Sequence, residues 1–289
     1  MSVEVLADGL RFGESPRWRG GELWFSDFYD HEVKTVDLHG RIASRLTVAG
    51  RPSGLGWLPD GRLLVVSMTD RLLLREQGGA LVMHADLSGI ATFDCNDMVV
   101  DAAGRAYVGN FGIDMAAASA EVGFRAALAA YAGATLARVD PDGTVTAAAA
   151  GLKFPNGSVI TPDGRTLIVA ESFGRCLTAF DIDAHGALSN RRVWADLAPY
   201  APDGICLDAS GAVWVADMTG PRCLRVREGG EVLQVVATEQ PCFACALGGD
   251  DGHTLFMMTA ESSEAPGPQA ARTGRVVTSR VAAGHAGRP

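Results

Sequence analysis

The chain has 289 residues, 47% hydrophobic and 20% charged, with 35 glycines, 13 prolines and a formal charge of −9, a composition that excludes a disordered chain. A chain this long removes about three quarters of its unfolded surface from water, so it needs no disulfide or metal merely to hold together. No apolar run approaches the roughly 20 residues that span a bilayer, and the 25 Lys and Arg are scattered, so neither a membrane nor a nucleic-acid backbone is expected as a partner.

The N-terminus, Met-Ser-Val-Glu-Val-Leu-Ala-Asp, lacks a basic segment followed by an apolar one, and a cytoplasmic protein is expected. From there one phrase recurs six times: a turn ending in Gly, then a short run of β-branched and aromatic residues. The copies are Gly21-Glu-Leu-Trp-Phe, Gly61-Arg-Leu-Leu-Val, Gly104-Arg-Ala-Tyr-Val, Gly164-Arg-Thr-Leu-Ile, Gly211-Ala-Val-Trp-Val and Gly252-His-Thr-Leu-Phe. The gaps between these glycines are 40, 43, 60, 47 and 41 residues, and four of the five match a four-stranded propeller blade of about 40 to 50 residues. Further strands with period two flank each copy, as in Val33-Lys-Thr-Val-Asp37 and Cys223-Leu-Arg-Val-Arg227. The expected fold is therefore all-β, a six-bladed β-propeller over residues 1–289 as one domain, closed by pairing of Val3–Leu6 with Gly274–Val281.

The 60-residue gap carries about 15 to 20 residues more than a blade needs. They lie between Phe111 and Tyr131, within an insertion of about 111–135, and are rich in alanine after a candidate Asp114 cap. A short helical insertion is expected, either a lid over the channel or a solvent-exposed decoration. Phe111, Met115, Phe124, Leu128 and Tyr131 are its candidate apolar wall.

Equivalent positions in a propeller face the same region of its axis. Eight residues before each glycine stand Ser53, Asn96, Asn156, Asp203 and Ala244, and seven before Gly21 stands Glu14. Each opens a strand, and four of the six carry oxygens that suit a hard cation. Two carboxylates and two carboxamides converging in an apolar scaffold would repel one another or stay unsatisfied without a positive charge between them. The donors are all oxygen, which favours Ca²⁺, Mg²⁺ or Mn²⁺ over a structural Zn²⁺.

Other groups carry less. The six cysteines read as buried thiols, and Cys242-Phe-Ala-Cys245 lacks the second pair that a zinc site needs. The six histidines sit mostly beside turn residues, and no nucleophile elbow surrounds Ser15 or Ser172. Glu171 and Asp217 end strands, as polar termini or as supports for the site.

The phrases Leu10-Arg-Phe-Gly-Glu-Ser-Pro-Arg-Trp18, Cys95-Asn-Asp97 followed by Asp101-Ala-Ala-Gly-Arg105, Phe154-Pro-Asn-Gly157 and Ala201-Pro-Asp-Gly-Ile205 resemble those of the regucalcin/gluconolactonase family, also called the senescence-marker-protein family. The resemblance covers nearly the whole chain. It implies a six-bladed propeller with one divalent metal (Ca²⁺, Mg²⁺, Mn²⁺ or Zn²⁺) held by Glu14, Asn156 and Asp203, with Asn96 holding substrate nearby. The implied reaction is hydrolysis of a small cyclic ester, a lactone. The metal would polarise the carbonyl, while Asp203 or a hydroxide on the metal activates water. A phosphotriesterase-like hydrolase and a calcium-binding propeller without catalysis are the rival readings. Two positions depart from the family pattern. Asp94 stands where such lactonases often carry Arg, and Met98 stands where Gly commonly follows Asn-Asp, which would put Met98 against the substrate. Both point away from a sugar lactone and toward an apolar or aryl-substituted one.

Overall fold

The computed structural model describes residues 2–263 and 272–287; Met1, 264–271 and 288–289 of the expected 1–289 domain lie outside the described residues. Six four-stranded antiparallel sheets follow one another in chain order, each running from an innermost to an outermost strand. Blade 1 begins with the innermost strand Gly13–Arg19, blade 2 with Pro52–Trp57 and blade 3 with Cys95–Val100. Blades 4, 5 and 6 begin with Pro155–Ile160, Pro202–Leu207 and Cys242–Gly248. The fourth strand of blade 6 is Glu4–Leu10, which pairs antiparallel with Gly274–Arg280 and closes the ring as expected.

All six repeated glycines have positive φ, between 72° and 88°, at the turn from the first to the second strand of their blades. That is why the phrase recurs: a side chain at this backbone angle is strained. The innermost strands are buried along most of their length, and six apolar clusters fill the spaces between neighbouring blades. A seventh, of Phe12, Phe28, Met68, Phe243 and Ala260, lies where the innermost strands open. The long connection from Asn110 to Ala134 contains two short helices, α1 (Met115–Val122) and α2 (Phe124–Ala130), separated by Gly123. Asp114 caps α1 by accepting from the Ala117 N–H at 2.9 Å. Among the described residues, no helix is long and apolar enough to cross a membrane.

Candidate functional site

The first residue of every innermost strand pairs with the last residue of the second strand: Gly13 with Asp27, Pro52 with Ser67, Cys95 with Asn110, Pro155 with Glu171, Pro202 with Asp217 and Cys242 with Thr259. The next residue is Glu14, Ser53, Asn96, Asn156 or Asp203 in blades 1 to 5, and Ala244 stands one place later in blade 6. In all six blades the register then slips. Such an irregularity re-aims side chains, here toward one mouth of the channel. Space around the axis is tight: a Cβ on Gly157 or Gly204 would stand 2.6 or 2.7 Å from atoms of the neighbouring strand.

Glu14, Asn96, Asn156 and Asp203 share a cavity of about 300 Å³. All four are buried and form its floor. Buried Phe12, Phe28, Met68 and Phe154 make the walls, and half-buried Tyr29, Arg51, Phe93, Asp94, Phe111 and Met218 stand nearer the mouth. Phe111 stacks on Phe154 with ring centroids 4.3 Å apart, so one wall is a continuous aromatic surface. Among the described residues, no histidine lines this cavity.

Charge on the floor is unbalanced. Glu14 and Asp203 are only 6% and 5% exposed, and neither forms an ion pair among the described residues. Burial above all, with repulsion from neighbouring carboxylates, pushes both well above the ordinary carboxylate range, although Asn156 partly offsets this at Asp203. The third nearby carboxylate, Asp97, is by contrast paired: it accepts from Arg17 Nη2 at 2.9 Å, Ser15 Oγ at 2.9 Å and the Met98 N–H at 2.8 Å. Arg17 also donates to the carbonyls of Leu55, Pro16 and Met98, so four of its five N–H groups are spent away from Glu14 and Asp203.

The two amides face the cavity differently. Asn156 Nδ2 donates to Ser172 Oγ at 3.1 Å, which leaves its carbonyl oxygen for a cation. Asn96 Oδ1 accepts from Ser53 Oγ at 3.2 Å, which leaves its NH₂ group to donate to a ligand. Among the described residues no three His, Cys, Asp or Glu side chains gather as a metal cluster. The floor instead offers two uncompensated carboxylates and one amide oxygen. That hard, all-oxygen donor set fits a divalent cation, and the charge imbalance is relieved by one.

Three buried carboxylates brace this floor from outside the cavity. Asp27 accepts the N–H of Phe12 at 2.9 Å, Glu171 that of Lys153 at 2.6 Å and Asp217 that of Ala201 at 3.2 Å. Each thereby holds the segment that leads into Glu14, Asn156 or Asp203. Sequence reading singled out Glu171 and Asp217 without fixing their role and passed over Asp27. The signal was present: all three occupy the end of the second strand, in the same repeat phase.

Met98 is not brought to the site. It is fully buried between blades 2 and 3 beside Leu58, Val66 and Val108, because the register irregularity between Cys95 and Met98 breaks the alternation that would set it on the face of Asn96. The insertion is not a lid lined by its apolar residues either. It leaves the end of the second strand of blade 3, on the cavity side, but only Phe111 of the five wall candidates lines the cavity. Tyr131 is buried as an anchor instead: its hydroxyl donates to the Phe111 carbonyl at 2.8 Å and accepts from the Phe154 N–H at 3.3 Å. All six cysteines are free; five are buried and Cys176 is half-buried.

The model of the family described as "SMP-30/Gluconolactonase/LRE-like region" matches residues 12–261. Pentonolactonase XacC of Haloferax volcanii is 26% identical over 273 residues, covering 89% of this chain and 84% of that protein. Regucalcin of Danio rerio is 31% identical over 271 residues, covering 89% of this chain and 85% of its own. In fold, the chain is similar to a solved calcium-binding protein, regucalcin, from Agrobacterium tumefaciens, with a TM-score of 0.79 at 20% identity over 98% of this chain and 95% of the other. With the family model spanning most of its length, the chain belongs to the SMP-30/gluconolactonase/LRE-like family.

Proposed function

We propose that this protein is a divalent-metal-dependent lactonase acting on a small cyclic ester with an apolar or aryl substituent. The observation that carries the reading is the floor of the cavity: two buried carboxylates without a cationic partner, an amide oxygen beside them and an amide NH₂ turned toward the ligand space. Similarity to a pentonolactonase and membership of the family support the reaction class.

Glu14, Asn156 and Asp203 would hold the cation. When bound, it supplies Lewis-acid polarisation of the ester carbonyl and offsets charge on the tetrahedral oxyanion. Asn96 donates from its free NH₂ to an oxygen of the lactone and fixes its orientation. Asp203, besides helping to hold the cation, would take a proton from the attacking water. Water adds to the carbonyl carbon, the ring C–O bond breaks, and the ring oxygen leaves as a hydroxyl after receiving a proton, giving a hydroxy acid. The Arg17–Asp97 pair is itself buried, and aromatic side chains line the cavity above Glu14 and Asp203.

The cavity of about 300 Å³ is at the small end for ligand pockets, and its apolar walls favour apolar ligands over polyhydroxylated ones. The test is metal analysis of the purified protein, then hydrolysis of sugar lactones, alkyl and aryl γ-lactones, carboxylesters and phosphotriesters with and without chelator. Chelator-sensitive turnover of aryl or alkyl lactones is expected. Turnover of phosphotriesters alone, or stoichiometric metal with no turnover of any ester, would replace this reading.

A further inference from the structure

Among the described residues Arg51 is the lone cationic side chain lining the cavity, and it comes from the segment before blade 2 rather than from the floor. Among the described residues its guanidinium has no hydrogen bond and no carboxylate within 4.0 Å, although half-buried Asp94 stands near enough to interact through charge. Its recorded contact is with the Tyr29 ring, 5.5 Å from the centroid. The backbone at Arg51 is in the left-handed region, φ 64°, directly before Pro52. A non-glycine residue there costs about 1 kcal/mol or more. It is held by two backbone hydrogen bonds, from its N–H to Val48 at 3.2 Å and from Met68 to its carbonyl at 2.9 Å. Phe154, directly before Pro155 in blade 4, has the same left-handed conformation, φ 61°, and also lines the cavity. Two blades thus carry the same backbone feature, and in both the residue faces the ligand space.

The cavity is layered. Acidic and amide groups form the floor, buried aromatic and methionine side chains the middle, and half-buried Arg51 and Tyr29 the upper wall. Building on the lactonase reading, we propose that Arg51 is a specificity-determining residue that selects substrates bearing an anionic group, a carboxylate, at the end remote from the lactone ring. The substrate class is an aryl-substituted lactone with a carboxylate on the aryl group. The ring ester reaches the floor, the aryl group lies against Phe12 and Phe154, and the carboxylate pairs with the Arg51 guanidinium. A fork of donors matched to a carboxylate, over apolar walls and partly shielded from water, gives such a pair more weight than an exposed one would have. Asp94 opposes it: this carboxylate screens Arg51 and discourages anions that lack the aromatic spacer.

Two measurements test the assignment separately from the reaction. Binding is measured by calorimetry on the protein loaded with Mn²⁺ or Ca²⁺, using the non-hydrolysable ethers 4-(tetrahydrofuran-2-yl)benzoate and its neutral benzamide. The wild type should bind the benzoate about tenfold more tightly. Arg51→Gln should remove that preference while keeping benzamide affinity within about threefold, and Asp94→Asn should enlarge the preference. Hydrolysis of the corresponding γ-aryl-γ-butyrolactones should follow the same order through KM, with kcat nearly unchanged. Equal binding of benzoate and benzamide by the wild type, or equal loss of both in Arg51→Gln, would overturn the role of Arg51. Binding preference without hydrolysis of either lactone would leave Arg51 as the anion-selecting residue and refute the lactonase reading.

Discussion

Blades 1, 4 and 5 differ from blades 2, 3 and 6 at two linked positions of an otherwise repeated frame. The first group places Glu14, Asn156 and Asp203 on the floor and ends its second strands with Asp27, Glu171 and Asp217. The second places Ser53, Asn96 and Ala244 at the floor positions and ends with the neutral Ser67, Asn110 and Thr259. Each carboxylate of the first group accepts a backbone N–H from the segment leading to its floor residue and is itself paired: Asp27 with Lys34, Glu171 with Arg191, Asp217 with Arg222. The neutral residues turn elsewhere, Ser67 to Asp70 and Asn110 to the Thr135 carbonyl. The difference separates two tasks. Bracing carboxylates are charge-compensated and hold backbone, whereas floor carboxylates are left uncompensated and so have charge to give to a cation.

The severest break in this comparison is loss of a floor charge. Asp203→Asn keeps the shape of the side chain and removes both the anion and the proton acceptor, so turnover should fall by roughly 1,000-fold. Circular dichroism should remain that of the wild type. Near-normal rates at matched metal occupancy would take Asp203 out of the reaction.

Removing a brace should cost less and should depend on which group of blades is touched. Asp217→Asn retains a hydrogen-bond acceptor but leaves Arg222 without its charge, and the segment Ala201–Pro202 before Asp203 loosens. Metal affinity or kcat/KM should drop about tenfold, as for residues that orient ligands. Ser67→Ala, at the same phase in blade 2, removes a bond to the exposed turn residue Asp70 and should leave both quantities within about twofold. Equal effects of the two variants would erase the distinction between the groups.

The ring of floor residues was legible because it depends on one property, the shared offset from a turn glycine, and that offset survives folding as the second or third place of every innermost strand. Residues outside such a phase were not legible. Arg51, Phe12, Phe28 and Met218 lie between strands, where no periodicity tells which way a side chain faces. The Arg17–Asp97 pair joins blades 1 and 3, and nothing in either strand alone indicates the other. Met98 was expected against the substrate from its place after Asn-Asp in the family phrase; the register slip between Cys95 and Met98 turns it between blades 2 and 3 instead.

A smaller effect follows from the raised titration of the floor in metal-free protein. Glu14 and Asp203 bind protons more tightly when folded than when unfolded. The folded state therefore carries more protons, and stability falls as pH rises from the unfolded carboxylate range through the folded values. In chelator, Asp203→Asn lacks part of this loss, so its melting temperature relative to the wild type should rise between pH 5 and pH 8. Added cation should reverse the order at pH 8, stabilising the wild type more than the variant. A melting-temperature difference that is flat with pH would mean that the floor carboxylates are compensated in some other way.

The smallest expected effect concerns the insertion, whose two α-helices have no counterpart in other blades among the described residues. α1 buries no residue and α2 buries only Ala127, so the helices contribute little apolar burial. They reach the site by two routes: Tyr131, whose hydroxyl joins the Phe111 carbonyl to the Phe154 N–H, and Phe124, whose ring lies 6.3 Å from that of Phe173, itself 5.1 Å from Phe154. Replacing residues 114–130 by a short Gly-Ser linker removes Phe124 but keeps Phe111, Tyr131 and the hydroxyl bridge, and kcat/KM for an aryl lactone should stay within about threefold of the wild type. Tyr131→Phe keeps both helices and removes the bridge. It should cost about 1 kcal/mol of stability and loosen the stacked Phe111–Phe154 wall, raising KM for aryl lactones more than for alkyl ones. If the linker variant instead loses most of its activity while Tyr131→Phe is neutral, the helices themselves act on the substrate, and the insertion belongs with the ligand-bearing blades rather than with the scaffold.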